Sequence, residues 1–237
     1  DKALTVDTEK AGDGEDVVSI LDMKADLDDK ILKIGEKISI RRFEKVTADV
    51  VASYIHGGGR IGVLVAGNGA SDDAAKEALT NIAMQIAAMN PQYISRDEIS
   101  ADELAKMKEI TIDSALNDPF SLPKPVLSKL IEKAVAGVWS AEDVAIYEEK
   151  KSNMNFLPNF LSKEAKAQLA EIACADKEEI SGNKIFSGLV EGRISKQMKE
   201  ICFLDQGYVK AEDGKQTVAA YLKSVNPALK IAKFVRF

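Results

Sequence analysis

Histidine is nearly missing: the 237-residue chain contains one, His56. A single imidazole excludes histidine-based metal clusters and leaves triad chemistry at most one candidate base. Cysteine is scarce too. Cys174 and Cys202 are the two present; each sits in an apolar-periodic stretch without a CxxC spacing or a nearby histidine. Both are expected to be core thiols of a reducing, cytoplasmic compartment. Surplus positive charge is absent. A net charge of −6 argues against direct nucleic-acid binding, because neutralising phosphates needs an excess of Lys and Arg. No apolar run approaches the roughly 18 residues of a membrane span, so no membrane role is expected. The opening Asp1-Lys2-Ala3-Leu4 has no initiator Met and no signal-peptide pattern, and the chain is expected to be a fragment. What is present is ordinary globular material: 46% hydrophobic and 30% charged residues, enough for one large domain or two modest ones.

The apolar pattern changes period along the chain. Residues 5–16 are acidic and aperiodic, which predicts a loop. From 17 to 34, Ile20, Leu27, Ile31 and Ile34 recur at helical spacing, and Gly35 follows as a C-cap. Residues 37–41 alternate apolar with polar and predict a strand with one buried face. Residues 50–55 and 61–66 are two further strands, joined by a glycine-rich turn into an antiparallel hairpin. Asp72 and its neighbours predict a helix start. Ala75, Leu79, Ile82, Ile86 and Met89 then form one stripe, stopped at Asn90-Pro91. A helix is expected over 101–116. Residues 119–182 carry four prolines and short helical patterns, with one stripe of Leu127, Leu130, Ala134 and Val138 and another of Leu169, Ile172 and Ala173. Residues 183–203 predict one long helix, 217–225 a short one, and 229–237 a closing strand. The expected fold is α+β: a small antiparallel sheet of three to four strands, helices on one face, and an all-helical insertion.

Three motifs suggest enzymes, and each lacks a required part. His56-Gly57-Gly58-Gly59 matches an esterase oxyanion loop, but no G-x-S-x-G nucleophile elbow accompanies it. Gly67-Asn68-Gly69-Ala70-Ser71-Asp72 lies between a strand and a helix as a dinucleotide fingerprint does. Its third glycine position holds Asp72, and Asp73 follows, so two carboxylates occupy the helix end that should receive phosphate. The acidic pairs Asp97-Glu98, Asp102-Glu103 and Glu148-Glu149 fall on helix starts and solvated faces. No catalytic residue, metal site or cofactor is predicted.

The hairpin suits a protein partner instead. Its tip joins Tyr54 and His56 to Gly57, Gly58, Gly59 and Arg60, so glycine allows close backbone approach while His and Arg supply directional donors. At this point the sequence resembles a known family. Ile34-Gly35-Glu36 with Arg41-Arg42 is similar to the IGENxxxRR segment of bacterial elongation factor Ts. Tyr54-Ile55-His56 through Arg60-Ile61-Gly62-Val63-Leu64-Val65 resembles its Y-x-H-x-x-x-R-I-G-V-L-V hairpin. Ile82-Ala83-Met84-Gln85-Ile86-Ala87-Ala88, with Pro91 and Tyr93, resembles its IAMQxAAxxPxY helix. Val190-Glu191-Gly192-Arg193, Leu204-Asp205-Gln206-Gly207-Tyr208-Val209, Lys215-Gln216-Thr217-Val218 and Phe234-Val235-Arg236-Phe237 match later blocks in family order.

The resemblance implies a translation factor that binds the GTPase elongation factor Tu and promotes GDP release, without chemistry of its own. It implies partner contacts at Tyr54, His56, Gly57, Gly58, Gly59, Arg60, Met84 and Gln85. It further implies that residues 1–35 are a remnant of a first core subdomain, and that 36–118 with 183–237 form the second. Residues 119–182 would elaborate the family's coiled-coil protrusion. The family's ubiquitin-associated-like module and its Thr-Asp-Phe-Val segment, which helps displace the partner's Mg²⁺, have no counterpart here. The expectation is therefore a chain that binds its partner but exchanges nucleotide slowly. The alternative is a structural module, dimerising through the stripe at 82–89.

Overall fold

The computed structural model describes residues 2–12, 15–212 and 214–237. The chain divides into two compact units, Asp1–Ser95 with Glu200–Phe237, and Arg96–Lys199.

The first unit opens with α1 (Lys2–Thr5), β1 (Lys10–Ala11) and α2 (Val17–Ile20). The stretch expected to be a loop over 5–16 thus holds a two-residue strand, while Asp13 and Gly14 lie outside the described residues. Asp16 caps α2 by accepting from the Ser19 amide at 3.1 Å. The single helix expected over 17–34 is interrupted. Asp22 takes a left-handed φ of 50°, a conformation that Asp tolerates better than most residues. Leu21 joins Ala11, Val17 and Phe43 in a small apolar cluster, and α3 (Lys24–Ile34) starts afresh before Gly35 ends it at φ 81°. No residue of α3 is buried, and Ile34 is exposed.

Residues 37–41 do not form the expected strand. Ile38 and Ile40 remain half-buried, Ile40 against the small cluster, but ladder pairing starts only at β2 (Phe43–Glu44), antiparallel to β1. Alternating burial requires one covered face; a strand also requires a neighbouring edge. The hairpin forms as expected. β3 (Val50–His56) pairs with β4 (Ile61–Asn68) in unbroken register from Val50↔Gly67 to His56↔Ile61.

Next, α4 (Asp73–Met89) packs on β3 and β4. Asp72 caps it, accepting from the Ala75 amide at 2.8 Å. Ala75, Leu79, Ile82 and Ile86 are fully buried, and each buried Leu or Ile contributes about 1.5–3 kcal/mol. Met89 departs from the expected stripe. It is the last helical residue and is exposed, because Asn90 at φ 47° ends the helix there. Of the stripe over 82–89, Ile82 and Ile86 lie inside the chain's own core, while Met89 does not.

The second unit is helical: α5 (Ala101–Leu116), α6 (Lys124–Val135), α7 (Ala141–Lys150), α8 (Lys163–Ala175), α9 (Lys177–Ser181) and α10 (Lys184–Ile201), whose last two residues belong to the first unit. Ser100 and Glu103 form a reciprocal capping box at the start of α5. Residues 119–182 are helical as expected, but the core they build also takes in Ala115 and Leu116 of α5 and Phe186 and Val190 of α10. The compact helical unit is therefore wider than that segment. Val138 falls beyond the end of α6 and is exposed, unlike Leu127, Leu130 and Ala134. Cys174, expected in the core, is exposed on α8; Cys202 is buried.

Back in the first unit, the Phe203 amide donates to the Tyr93 carbonyl at 2.8 Å. α11 (Val218–Val225) is capped by Thr217, and β5 (Lys230–Arg236) pairs antiparallel with β4, giving the order β3-β4-β5. Val63 and Val65 of the sheet, Leu79, Ile82 and Ile86 of α4, and Phe203, Val218 and Leu222 share one core. The architecture is α+β. Among the described residues no helix is long and apolar enough to cross a membrane.

Candidate functional site

The β3–β4 hairpin carries its tip beyond the reach of the core. Four residues, Gly57 to Arg60, join the paired His56 and Ile61, and the Arg60 amide donates to the His56 carbonyl at 3.1 Å. Gly57, Gly58 and Gly59 take φ of 62°, 68° and 98°. Three successive left-handed residues would each cost a side-chain-bearing residue about 1–2 kcal/mol, so the glycines are needed for the turn itself. The Arg60 side-chain stem lies over Gly57, while the space beside Gly58 and Gly59 is open.

Residues 54 and 56 share the face of β3 that meets α4, by the period of two. Tyr54 is half-buried against the core; His56, one pleat further out, is exposed. The Tyr54 hydroxyl lies 2.9 Å from His56 Nδ1, with ring centroids 5.8 Å apart. On the opposite face Ile55 is 71% exposed. Sequence reasoning misses Ile55, although strand alternation carries it past the last covered pleat. The tip's base is tied by a reciprocal pair: the Phe237 amide donates to the Gly62 carbonyl at 2.8 Å, and the Gly62 amide to the Phe237 carbonyl at 3.1 Å. The Arg42 guanidinium rests 4.6 Å from the Phe237 ring centroid.

Met84 and Gln85, adjacent on α4, have opposite fates. Met84 is half-buried, and its sulfur lies 3.8 Å from Lys210 Nζ. Lys210 also donates to Asn81 Oδ1 at 2.7 Å, and Asn81 donates to the Tyr221 hydroxyl at 3.2 Å. Gln85 is fully buried. Its Nε2 donates to the Gly207 carbonyl at 3.0 Å and to Gln206 Oε1 at 3.3 Å, and its Oε1 accepts from the Val209 amide at 3.0 Å. Gln206, also buried, donates to the Glu200 carbonyl at 2.7 Å. Gln85 therefore offers no surface of its own; it holds the loop that displays Val209, which is 53% exposed. Gln206 and Val209 fall within a family-like block, yet nothing in the sequence marks either as a site residue. Two glutamines at helix and loop positions are a weak signal, because Gln is usually solvated.

The Tyr208 and Tyr221 rings stack at 4.0 Å and 11°. Burial, then the hydrogen bond and charge of Tyr221, push the Tyr208 phenol well above its ordinary value. These rings, Asn81 and Lys210 line an open groove of about 740 Å³.

The glycines of the incomplete dinucleotide motif have packing reasons. A Cβ on Gly67 would come within 3.1 Å of Leu229 and 3.3 Å of Leu79. Gly69 sits at φ 90°, and a Cβ there would lie 2.1 Å from the Ala228 carbonyl oxygen. Its amide donates to Asp49 Oδ2 at 2.8 Å, and Asn68 Oδ1 accepts from the Asp49 amide at 3.2 Å, clamping the open end of the hairpin.

The model of the elongation factor Ts family matches residues 13–237. Elongation factor Ts of Clostridioides difficile (strain 630) is 34% identical over 239 aligned residues, which cover 96% of this chain and 59% of that protein. The chain thus spans 59% of the length of this curated relative. With the hairpin, α4 and the closing strand all inside the matched residues, the chain belongs to the elongation factor Ts family.

Proposed function

We propose that this chain binds elongation factor Tu and promotes loss of its guanine nucleotide, acting in the cytoplasm as part of the translation machinery. The observation that carries this is the hairpin: Tyr54 and His56 share a hydrogen bond at the foot of an exposed, glycine-built tip within the family-matched residues. Direct contacts come from His56, Gly57, Gly58, Gly59, Arg60 and Met84, and Tyr54 contributes through its hydrogen bond to His56. Gln85 contributes through the loop it holds.

The role needs a shape, not a reaction. A protein that lowers the GTPase's affinity for GDP by some factor must lose affinity for the GTPase by the same factor when GDP binds. Covalent chemistry of the chain does not enter. Stopped-flow release of fluorescent GDP from elongation factor Tu tests the proposal. The expected result is release that accelerates and saturates with chain concentration. A rate equal to spontaneous release at every concentration overturns it.

A further inference from the structure

We propose that Tyr54 is a positioning residue that holds His56 as its Nε2–H tautomer, so that the hairpin tip presents a donor and the partner group opposite it is an acceptor, a carboxylate or a backbone carbonyl. This rests on the hairpin being the docking surface. Among the described residues, Tyr54 is the sole side chain hydrogen-bonded to the imidazole, at 2.9 Å to Nδ1.

Two arrangements of that bond are conceivable, and acid–base chemistry separates them. A neutral imidazole has one ring nitrogen that donates and one that accepts. The phenol is the more acidic of the two groups, and a bare imidazole nitrogen is a better acceptor than a phenol oxygen. Tyr54 therefore donates, Nδ1 accepts, and the proton resides on Nε2, the hydrogen bond at one nitrogen setting the state of the other. The anchor is firm because the Tyr54 ring packs against the buried core, whereas His56 is exposed and would otherwise sample several rotamers. Ordering that ring before encounter removes part of the entropy that binding would cost. The neighbouring side chain agrees in sign. Arg60 is a donor without acceptor capacity, so the tip as a whole is matched to an acceptor-bearing surface.

The lone histidine makes the test clean, since its ring signals need no assignment. Long-range ¹H–¹⁵N spectra of the whole chain at pH 8.5 should show Nδ1 bare and Nε2 protonated. The imidazole ring order measured by ¹³C relaxation should fall in Tyr54→Phe. A protonated Nδ1 overturns the tautomer assignment, and unchanged ring order in Tyr54→Phe overturns the positioning role. In binding to elongation factor Tu, Tyr54→Phe should weaken the complex about fivefold, the value of one modest hydrogen bond, and add nothing in a His56→Ala background. An equal loss in both backgrounds makes Tyr54 a direct contact and overturns the proposal. His56→Gln, which places an amide donor near the Nε2 position, should retain more affinity than His56→Asn; the reverse order overturns the acceptor assignment. If His56→Ala leaves affinity untouched, the docking role of the hairpin and the acceptor assignment both fail, while the spectra still decide what Tyr54 does.

Discussion

Replacing Gln85 with Met removes three hydrogen bonds while nearly preserving volume. The lost partners are the Gly207 carbonyl, Gln206 Oε1 and the Val209 amide. A buried polar group left unpaired costs about 1–3 kcal/mol, but the three sites are not alike. The Gln206 side chain is fully buried and, among the described residues, keeps only its bond to the Glu200 carbonyl. Val209 is 53% exposed, so its amide can turn to water. The expected loss is about 2–4 kcal/mol, below the simple total because one group rehydrates. Urea unfolding should show a lower midpoint with an unchanged slope, and the Val209 amide should lose most of its hydrogen-exchange protection. Affinity for elongation factor Tu should fall in step with disorder of the 206–209 loop. A stability loss under about 1 kcal/mol, with Val209 still protected, would refute the assignment of Gln85 as the support of that loop.

Two glycines of equal sequence appearance should respond differently to alanine. Gly69→Ala drives a Cβ into the Ala228 carbonyl and should cost about 3 kcal/mol or more in urea unfolding, whereas Gly58→Ala meets open space and should cost about 1–2 kcal/mol of backbone strain alone. Asp143 is 6% exposed; burial pushes its carboxyl up, but hydrogen bonds from the Ser162 amide and from the Ser140 and Ser162 hydroxyls outweigh this and hold it below its ordinary range. Stability from this group is present above the unfolded carboxylate value of about 3.9 and lost as pH falls below it, so acid titration of the Trp139 fluorescence should show a steeper decline for the natural chain than for Asp143→Asn. His56→Ala should leave the thermal midpoint within about 2 °C, because the side chain is exposed and its ring neighbour Tyr54 keeps its own packing against the core.

Elements with a strong period or a cap are legible in the amino-acid sequence alone. The stripe on α4 and the Asp72 cap, the start of α5 among its acidic residues, and the turn signals at Gly57–Gly59 each carry a local physical cause. The differences arise where a local pattern depends on a distant partner. Residues 37–41 alternate correctly yet lack a strand to pair with over that stretch, and the break at Asp22 depends on Leu21 packing against Ala11 and Phe43. The site divides along the same line. The hairpin tip is visible because glycine, His and Arg are adjacent in sequence. The support beneath α4 is hidden because Gln85 and Gln206 lie 121 positions apart, and nothing local marks a glutamine as buried. Gly67 and Gly69 suggest a nucleotide motif because glycine records close approach without saying to what. Here it is Leu229 and Ala228.

On the proposed function, the exposed hairpin grips elongation factor Tu in its nucleotide-free form. Isothermal titration of the chain into elongation factor Tu, once stripped of nucleotide and once saturated with GDP, measures that linkage directly. The predicted result is tight binding to the stripped protein, with affinity reduced by GDP by the same factor that the chain reduces GDP affinity. Equal affinity for the two forms would contradict it.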